Sequence, residues 1–402
     1  MIGILTLTFS NNLNYGALLQ AWALKHFLQK NLKSQIAVLP MEQGTEEIRD
    51  NDNVSKRYPV GSGVINAIRR IAFVWSRQLT SIRKAKRNKE RREKTKAFFR
   101  TFCAEGRQPF VPADIELALH DVSAIVVGSD WVWYLTESQY DNPPDRIPAT
   151  KKIYLGFLPK MMKKRKLIAY AASQGIIPER PSSLLQLAMQ NFDAISVREV
   201  ESADYLKKNG CKKEVAHVLD PTLLLEEEDL REIARTEQKG CYGKYILVYC
   251  LKCQNKDAVC RYLSNLEKGT GLKVCVINTQ REFSYPGVEA EGDRAGPVEF
   301  LSSIRNAEYV VTNSFHGMVF SCLYHKPFTA FQRQARDYRQ KNLVELLGLR
   351  ERLLDDCVPW GEATDPYKMP VDWEEVDRRR RAASEGAKKF LLDNLKNADS
   401  AD

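Results

Sequence analysis

The feature that most constrains this chain is a repeated pattern. A short apolar run ends in a few small polar residues, and a stretch with apolar residues three and four apart then follows. "IGILTLT" near the start gives way to "SNNLN". From Tyr15 the spacing predicts a helix with Leu18, Leu19, Trp22, Ala23, His26 and Phe27 on one face, and "SQIAVLP" is the next strand. Strand, helix, strand in this order predicts a parallel sheet with helices packed on it. The pattern resumes with "VSAIVVGSD", "KLIAYAASQG" and "DAISVRE", then the helix "VESADYLKKNG" closed by Gly210, and "EVAHVLDPTLLL", whose Asp220-Pro221 turns the chain. "EEEDLREIARTEQKG" reads as an acidic connector. A second set begins at Tyr245 with "YILVYCL", and continues through "LKVCVIN", "YVVTNSF", a helix from Met318 and "PFTAF".

The expected fold is therefore α/β: two Rossmann-like domains with a cleft between them. The first spans 1–225, with an inserted helical excursion at about 41–107. The second spans 241–370, and a C-terminal helix and tail occupy 371–402. Ligand clefts favour such interfaces, facing the carboxyl ends of the strands. The N-terminus, "MIGILTLTFSNN", reads as a first strand and not as a signal peptide. No apolar run is long enough to span a membrane.

Charge narrows the partners. The net charge is +10, and between Arg69 and Arg100 stand thirteen Lys/Arg against Glu90 and Glu93. That segment carries the whole excess. It reads as a solvated helical face, or as one drawn to an anionic membrane surface. The aromatics Phe73, Trp75, Phe98, Phe99 and Phe102 flank the basic run and do not interleave with it, which speaks against a nucleic-acid platform. Nine cysteines are scattered, and only Cys250 and Cys253 have metal-like spacing with no second pair. Free thiols in a reducing cytoplasm, and no metal, are the expectation.

The candidate site residues all follow strand ends. "TFSNNLNYG" carries Ser10, Asn11, Asn12 and Asn14 ahead of a helix N-terminus, where backbone amides favour an anion or a hydroxyl-rich ligand, or where Asn14 is a plain cap. "VVGSDWVW" offers Ser129 and Asp130, as a proton acceptor for a sugar hydroxyl with Trp131 or Trp133 beneath the ring, or as another cap. "SVRE" offers Arg198, to fork onto a carboxylate or phosphate or to pair with Glu199. "VVTNSFHG" offers Asn313, Ser314 and His316 in a strand-to-helix turn, the histidine as acid or base or as a hydrogen-bonded structural ring. There is no GxGxxG after the first strand, no P-loop and no GxSxG, which argues against dinucleotide enzymes, P-loop kinases and α/β-hydrolases.

In order, "NNLNYGALLQAWAL", "VVGSDWVW", "ISVREVESADYLKKNG", "HVLDPTLLL" and "GPVEFLSSIRNAEYVVTNSFHGMVFSCLYHKPF" resemble the polysaccharide pyruvyl transferase family, over about residues 3 to 335. The resemblance implies a fold similar to the two-domain GT-B glycosyltransferases, and phosphoenolpyruvate as co-substrate without a further cofactor. The implied acceptor is a glycan of a surface polysaccharide or its lipid-linked precursor, and the product is a pyruvate ketal. It implies an acceptor side in the first domain, a donor side in the second and a cytoplasmic enzyme, peripheral at the inner membrane face. Arg198 matches a donor-holding arginine and His316 the active-site histidine. Some members carry arginine two places before that histidine, where this chain has Ser314; Arg294, Arg333 and Arg336 are candidates to supply the missing charge. Two alternatives stand beside this reading: a nucleotide-sugar glycosyltransferase, with Glu299 gripping a ribose, and a glycan-binding protein with a degenerate site.

Overall fold

The computed structural model describes residues 1–7, 14–42, 88–159, 165–234, 243–251, 253, 256–277, 283–286, 288, 294–332, 338–354 and 365–399. Asn12, Arg333 and Arg336 lie outside the described residues, as do Ser10, Asn11 and positions 43–87 of the basic excursion.

The apolar runs form strands of two parallel sheets. The first contains β1 (Ile2–Leu5), β2 (Ile36–Val38), β3 (Ala124–Val127), β4 (Lys166–Ala172), β5 (Ala194–Val197) and β6 (Val215–His217), in the order β2-β1-β3-β4-β5-β6. The second contains β7 (Tyr245–Tyr249), β8 (Lys273–Val276), β9 (Tyr309–Thr312), β10 (Phe328–Phe331) and the short β11 (Leu353–Leu354), in the order β8-β7-β9-β10-β11. Nearly every strand residue is buried, as expected when helices cover both faces of a parallel sheet. The order is the same in both sheets, with one further strand in the first. In each, the chain reverses direction of winding beside the first strand: between β1 and β3, and between β7 and β9. These are the topological switch points, where doubly wound sheets open a crevice at the strand carboxyl ends.

The helices that cover the sheets are α1 (Tyr15–Asn31), α2 over 88–102, α3 (Ile115–Ala118), α4 (Ala149–Tyr154), α5 (Ser183–Asn191), α6 (Val200–Lys208), α7 (Glu227–Ala234), α8 (Lys256–Thr270), α9 (Pro297–Asn306), α10 (Phe315–Leu323), α11 (Tyr338–Leu347) and α12 (Trp373–Asp399). Two depart from the sequence reading. The acidic connector contains α7, because Leu230 and Ile233 supply a buried stripe, while Asp229 takes hydrogen-bond contacts from His26 at 2.9 Å and Lys30 at 2.6 Å of α1. The helix expected from Met318 begins three residues earlier, because the Ser314 hydroxyl accepts the Gly317 N–H at 3.3 Å and caps α10. His316 therefore stands in the first helical turn.

The two lobes share a seam. One apolar cluster runs from Ile2, Ile4 and Tyr15 of the first to Leu247, Phe300 and Phe320 of the second. The Tyr15 ring lies 5.3 Å from Phe300 and 6.2 Å from Tyr249, and its hydroxyl donates to the Ala295 carbonyl. Chain order would leave α12 with the second lobe, yet it packs back on the first. Arg380 donates to the Leu223 and Leu225 carbonyls at 3.2 and 2.7 Å, and Phe390 meets Tyr170 at 6.4 Å.

The described part of the basic segment is a docked helix. Phe98 and Phe99 of α2 lie in the protein core, Thr95 and Arg91 are buried, and Lys94 pairs with Glu299 of α9. Phe98 and Phe99 are therefore not available to a lipid surface, while Phe102 is half-buried and Arg92, Glu93 and Arg100 are exposed. No helix among the described residues is long and apolar enough to cross a membrane. Cys103, Cys211, Cys260 and Cys322 are free thiols, but Cys275 of β8 is disulfide-bonded, so the expectation of free thiols throughout does not hold.

Candidate active site

One buried carboxylate, Asp220, is shared by side chains of both lobes. Asp220 follows β6, at the carboxyl edge of the first sheet. Its Oδ1 accepts the Thr222 backbone N–H at 3.0 Å and the Thr222 hydroxyl at 2.6 Å, as the cap of the short helix Pro221–Leu224. Its Oδ2 accepts Arg198 Nη1 at 2.6 Å and the Ser129 hydroxyl at 3.2 Å. His316 of the opposite lobe brings Nε2 to 3.7 Å from Oδ1, within ion-pair range and beyond a hydrogen bond. Burial by itself would raise the Asp220 pKa. The His316 ring, Arg198 and Thr222 outweigh burial and hold the carboxyl well below the usual carboxylate range. Asp220 is thus an anion in the interior, shared by a guanidinium from one lobe and an imidazole from the other.

Arg198 sits one residue past β5 and is buried. Besides Asp220 it meets Glu199 Oε1 at 3.3 Å and Asp130 Oδ1 at 3.6 Å. Burial opposes its charge, but Glu199, Asp220 and Asp130 more than compensate, and the guanidinium stays protonated. Its flat face stacks on the Phe315 ring at 5.1 Å, beside His316. Arg198 Nη2 and His316 Nε2 are both buried and without a hydrogen-bond partner among the described residues. Orphaned buried donors are uncommon and call for an explanation such as an absent ligand.

Asp130 and Ser129 close β3. Asp130 has φ +66°, a left-handed conformation that Asp and Asn adopt more readily than most side chains. Ser129 ties this turn down: its N–H donates to Gln20 Oε1 at 3.2 Å, and its carbonyl accepts the Thr6 hydroxyl at 3.1 Å. Trp131 follows, packed over Gly175, where an added Cβ would lie 2.5 Å from the indole. Arg339 of α11 reaches across from the second lobe, its guanidinium 4.8 Å from the Trp131 ring centre and 3.9 Å from Asp130 Oδ1.

The remaining candidates separate. The Asn313 amide clamps the Leu251 backbone, accepting its N–H at 2.6 Å and donating to its carbonyl at 2.8 Å, so this side chain joins the ends of β7 and β9. Ser314 is the α10 cap described above. Asn14 precedes α1, and its side chain does not cap that helix. Arg294 is more than half exposed and pairs with Glu90 at 3.3 Å, away from the buried cluster. Glu299 pairs with Lys94 and accepts the Gly296 N–H at 2.9 Å.

Three participants were not anticipated. In sequence Asp220 reads as a turn residue, and its one signal is its place in "HVLDPTLLL". Arg339 carries no motif. Gly16, in the first turn of α1, lies so close under His316 that an added Cβ would stand 2.1 Å from Nδ1; the "NNLNYG" stretch contains it. Burial pushes the Cys103 thiol up to about 12 against the pull of Lys25, and Cys322 likewise to about 12, which makes both inert rather than nucleophilic. Among the described residues no group of three His, Cys, Asp or Glu is arranged to hold a metal ion.

The sequence model of one family, described as polysaccharide pyruvyl transferase, matches residues 14–334, the span that holds every residue of this cluster except Arg339. The chain belongs to that family. Family membership makes it a pyruvyl transferase of polysaccharide biosynthesis. No curated protein matches. Among solved structures, UDP-N-acetylglucosamine 2-epimerase from Rickettsia bellii is similar at 8% identity and a TM-score of 0.49, covering 99% of this chain and 96% of that one. UDP-GlcNAc 2-epimerase from Neisseria meningitidis, bound to UDP-GlcNAc, is similar at 10% identity and a TM-score of 0.46, covering 98% and 99%.

Proposed function

We propose that the chain transfers the pyruvyl group of phosphoenolpyruvate to two hydroxyls of one sugar, forming a pyruvate ketal. The acceptor is a surface polysaccharide or its lipid-linked precursor, and the enzyme works in the cytoplasm at the inner membrane face. The observation that carries this reading is the convergence of Arg198 and His316, from opposite lobes, on Asp220, each with a buried nitrogen that has no hydrogen-bond partner among the described residues.

Phosphoenolpyruvate carries a carboxylate and a phosphate on one small carbon frame. A guanidinium in a dry site binds either end by parallel N–H donors. His316 acts as general acid and delivers a proton to the methylene carbon, which becomes the methyl group. Asp220 gives the protonated ring its counter-charge. The positive character that develops at C2 draws one sugar hydroxyl, the C–O bond to phosphate breaks, and the second hydroxyl closes the ring. Of the two hydroxyl protons released, one balances the proton taken up by carbon and the other leaves with hydrogen phosphate. Asp130 is the group placed to take the first of them. Such acid–base assistance contributes on the order of 10²–10⁴-fold. Arg198 holds the donor, and Ser129 with Asp220 positions it.

The test is phosphate release from phosphoenolpyruvate in the presence of candidate glycans. In deuterated water, wild-type enzyme should place deuterium in the ketal methyl group, and His316→Ala should lose both label and turnover. Turnover unchanged in His316→Ala ends the acid role, and release of a nucleotide from a sugar nucleotide would favour glycosyl transfer instead.

A further inference from the structure

Gln174 has no part in the chemistry described so far. It stands two places past β4, in "AASQG", and β4 lies between the strands whose ends carry Asp130 and Arg198. Its side chain is 1% exposed, and neither Oε1 nor Nε2 has a hydrogen-bond partner among the described residues. Both ends of one buried amide are thus unmade, and each such group is destabilising. The backbone around it is tightly tied. The Ser173 N–H donates to the Asp130 carbonyl at 3.0 Å, and the Ser173 carbonyl accepts the Trp133 N–H at 3.1 Å. The Ser173 hydroxyl donates to Glu199 Oε1 at 2.6 Å, and the Ile176 N–H donates to the Gln174 carbonyl at 2.9 Å. The strand reaches this turn through a bulge. Its register against β5 slips by one residue between Ala169 and Ala172, and Ala171 has φ +46°, with its N–H on the Ser196 hydroxyl at 3.1 Å. A bulge re-aims the residues that follow it, and such devices gather beside active sites.

We propose that Gln174 binds the acceptor sugar: Nε2 donates to one hydroxyl oxygen and Oε1 accepts from a neighbouring hydroxyl. The inference rests on the pyruvyl-transfer reading above and adds to it the residue that reads the acceptor. The chemistry of the amide chooses between the two substrates. It offers donors and an acceptor side by side. The carboxylate and phosphate of phosphoenolpyruvate only accept, so they would satisfy the nitrogen and leave the oxygen unmade. A hydroxyl both donates and accepts, so a pair of them on adjacent carbons completes both ends. A sugar lacking one of the two leaves a buried polar atom without a partner, which is how a site built to hydrogen-bond a hydroxyl rejects its analogues. The contact falls on the first lobe, where Gln174 is fixed through Ser173 to the Asp130 carbonyl and to Glu199.

The test is Gln174→Met, which keeps the length of the side chain and removes both polar ends. Without any ligand, its thermal midpoint should rise by about 1–4 °C over wild type, because the unmade groups are gone. Saturation-transfer NMR with the methyl glycosides of glucose, galactose, mannose and N-acetylglucosamine, each with phosphoenolpyruvate present, reads the acceptor. Titration calorimetry with phosphoenolpyruvate reads the donor. The glycoside that wild type binds should bind Gln174→Met about tenfold or more weakly, while affinity for phosphoenolpyruvate stays within about twofold. A midpoint unchanged or lowered shows that the amide is satisfied within the fold, by a buried water or otherwise, and overturns the inference. So does an unchanged glycoside affinity, or wild-type protein that binds phosphoenolpyruvate and none of the glycosides. An equal loss of phosphoenolpyruvate affinity assigns the amide to the donor and overturns its pairing with hydroxyls. If wild-type protein binds neither phosphoenolpyruvate nor a glycoside, it is the pyruvyl-transfer reading that fails, and the midpoint alone decides whether the Gln174 amide is unmade in solution.

Discussion

The two lobes have the same strand order and opposite habits at their lips. Around the first sheet, the residues after β3, β5 and β6 are Asp130, Arg198 with Glu199, and Asp220, a chain of buried charges that hold one another. Around the second sheet, the residues after β7 and β9 serve their own backbone: Asn313 clamps Leu251 and Ser314 caps α10. Among the described residues, His316, Phe315 and Arg339 lean across. One lobe supplies a preorganised charge lattice, and the other supplies a rigid mount for these side chains. The buried charge cluster is completed where the second lobe meets the first.

The sharpest way to break this contrast is Arg198→Ala. It leaves Asp220 and Glu199 buried without their cation, and removing one partner of a buried pair costs about 3–5 kcal/mol. Thermal unfolding should register that loss together with the disappearance of phosphate release. A stable, active Arg198→Ala protein would show that the lattice is ornamental. Next in size is Gly16→Ala. With a Cβ 2.1 Å from His316 Nδ1, the ring must move, and a shift of about 1 Å can cost on the order of 10²-fold in rate. Stability should fall by only about 1–3 kcal/mol, the usual range for one added methyl in a packed site. Equal kcat in the two proteins would mean that the ring position is not what α1 provides. The smallest effect belongs to Asn313→Ala, which loses the clamp on Leu251 and about 1–3 kcal/mol of stability for the backbone groups left unpaired. The KM for phosphoenolpyruvate should stay within about twofold, because the amide is engaged structurally; a large rise in KM would move Asn313 into the binding site and blur the distinction between the lobes.

The parts of this architecture that could be read from the sequence were those written in local pattern. Runs such as "AIVV" and "YVVT" are buried on both faces, so they are almost wholly apolar and announce parallel strands. The helix α7 is hard to read from sequence because its three consecutive acidic residues, Glu227, Glu228 and Asp229, mask a two-residue stripe, Leu230 and Ile233. The start of α10 was hidden because a serine cap looks like the tail of the strand before it. Arg198 and His316 were legible as residues at strand ends, but their meeting was not, since Asp220 joins them across 22 residues on one side and across the lobe boundary on the other. Nor could composition tell that Arg294 faces solvent while Arg339 is buried over Trp131: both are arginines near the second sheet, and only tertiary packing separates them.

The apolar seam has a consequence for the integrity of the whole. Because Tyr15, Phe300 and Tyr249 belong to one continuous oily interior, and α12 is sewn onto the opposite half by Arg380, the molecule has no natural cutting line. Cleaving the chain near 240 would yield two fragments each carrying a raw greasy flank, and heat should melt both halves together as one cooperative body.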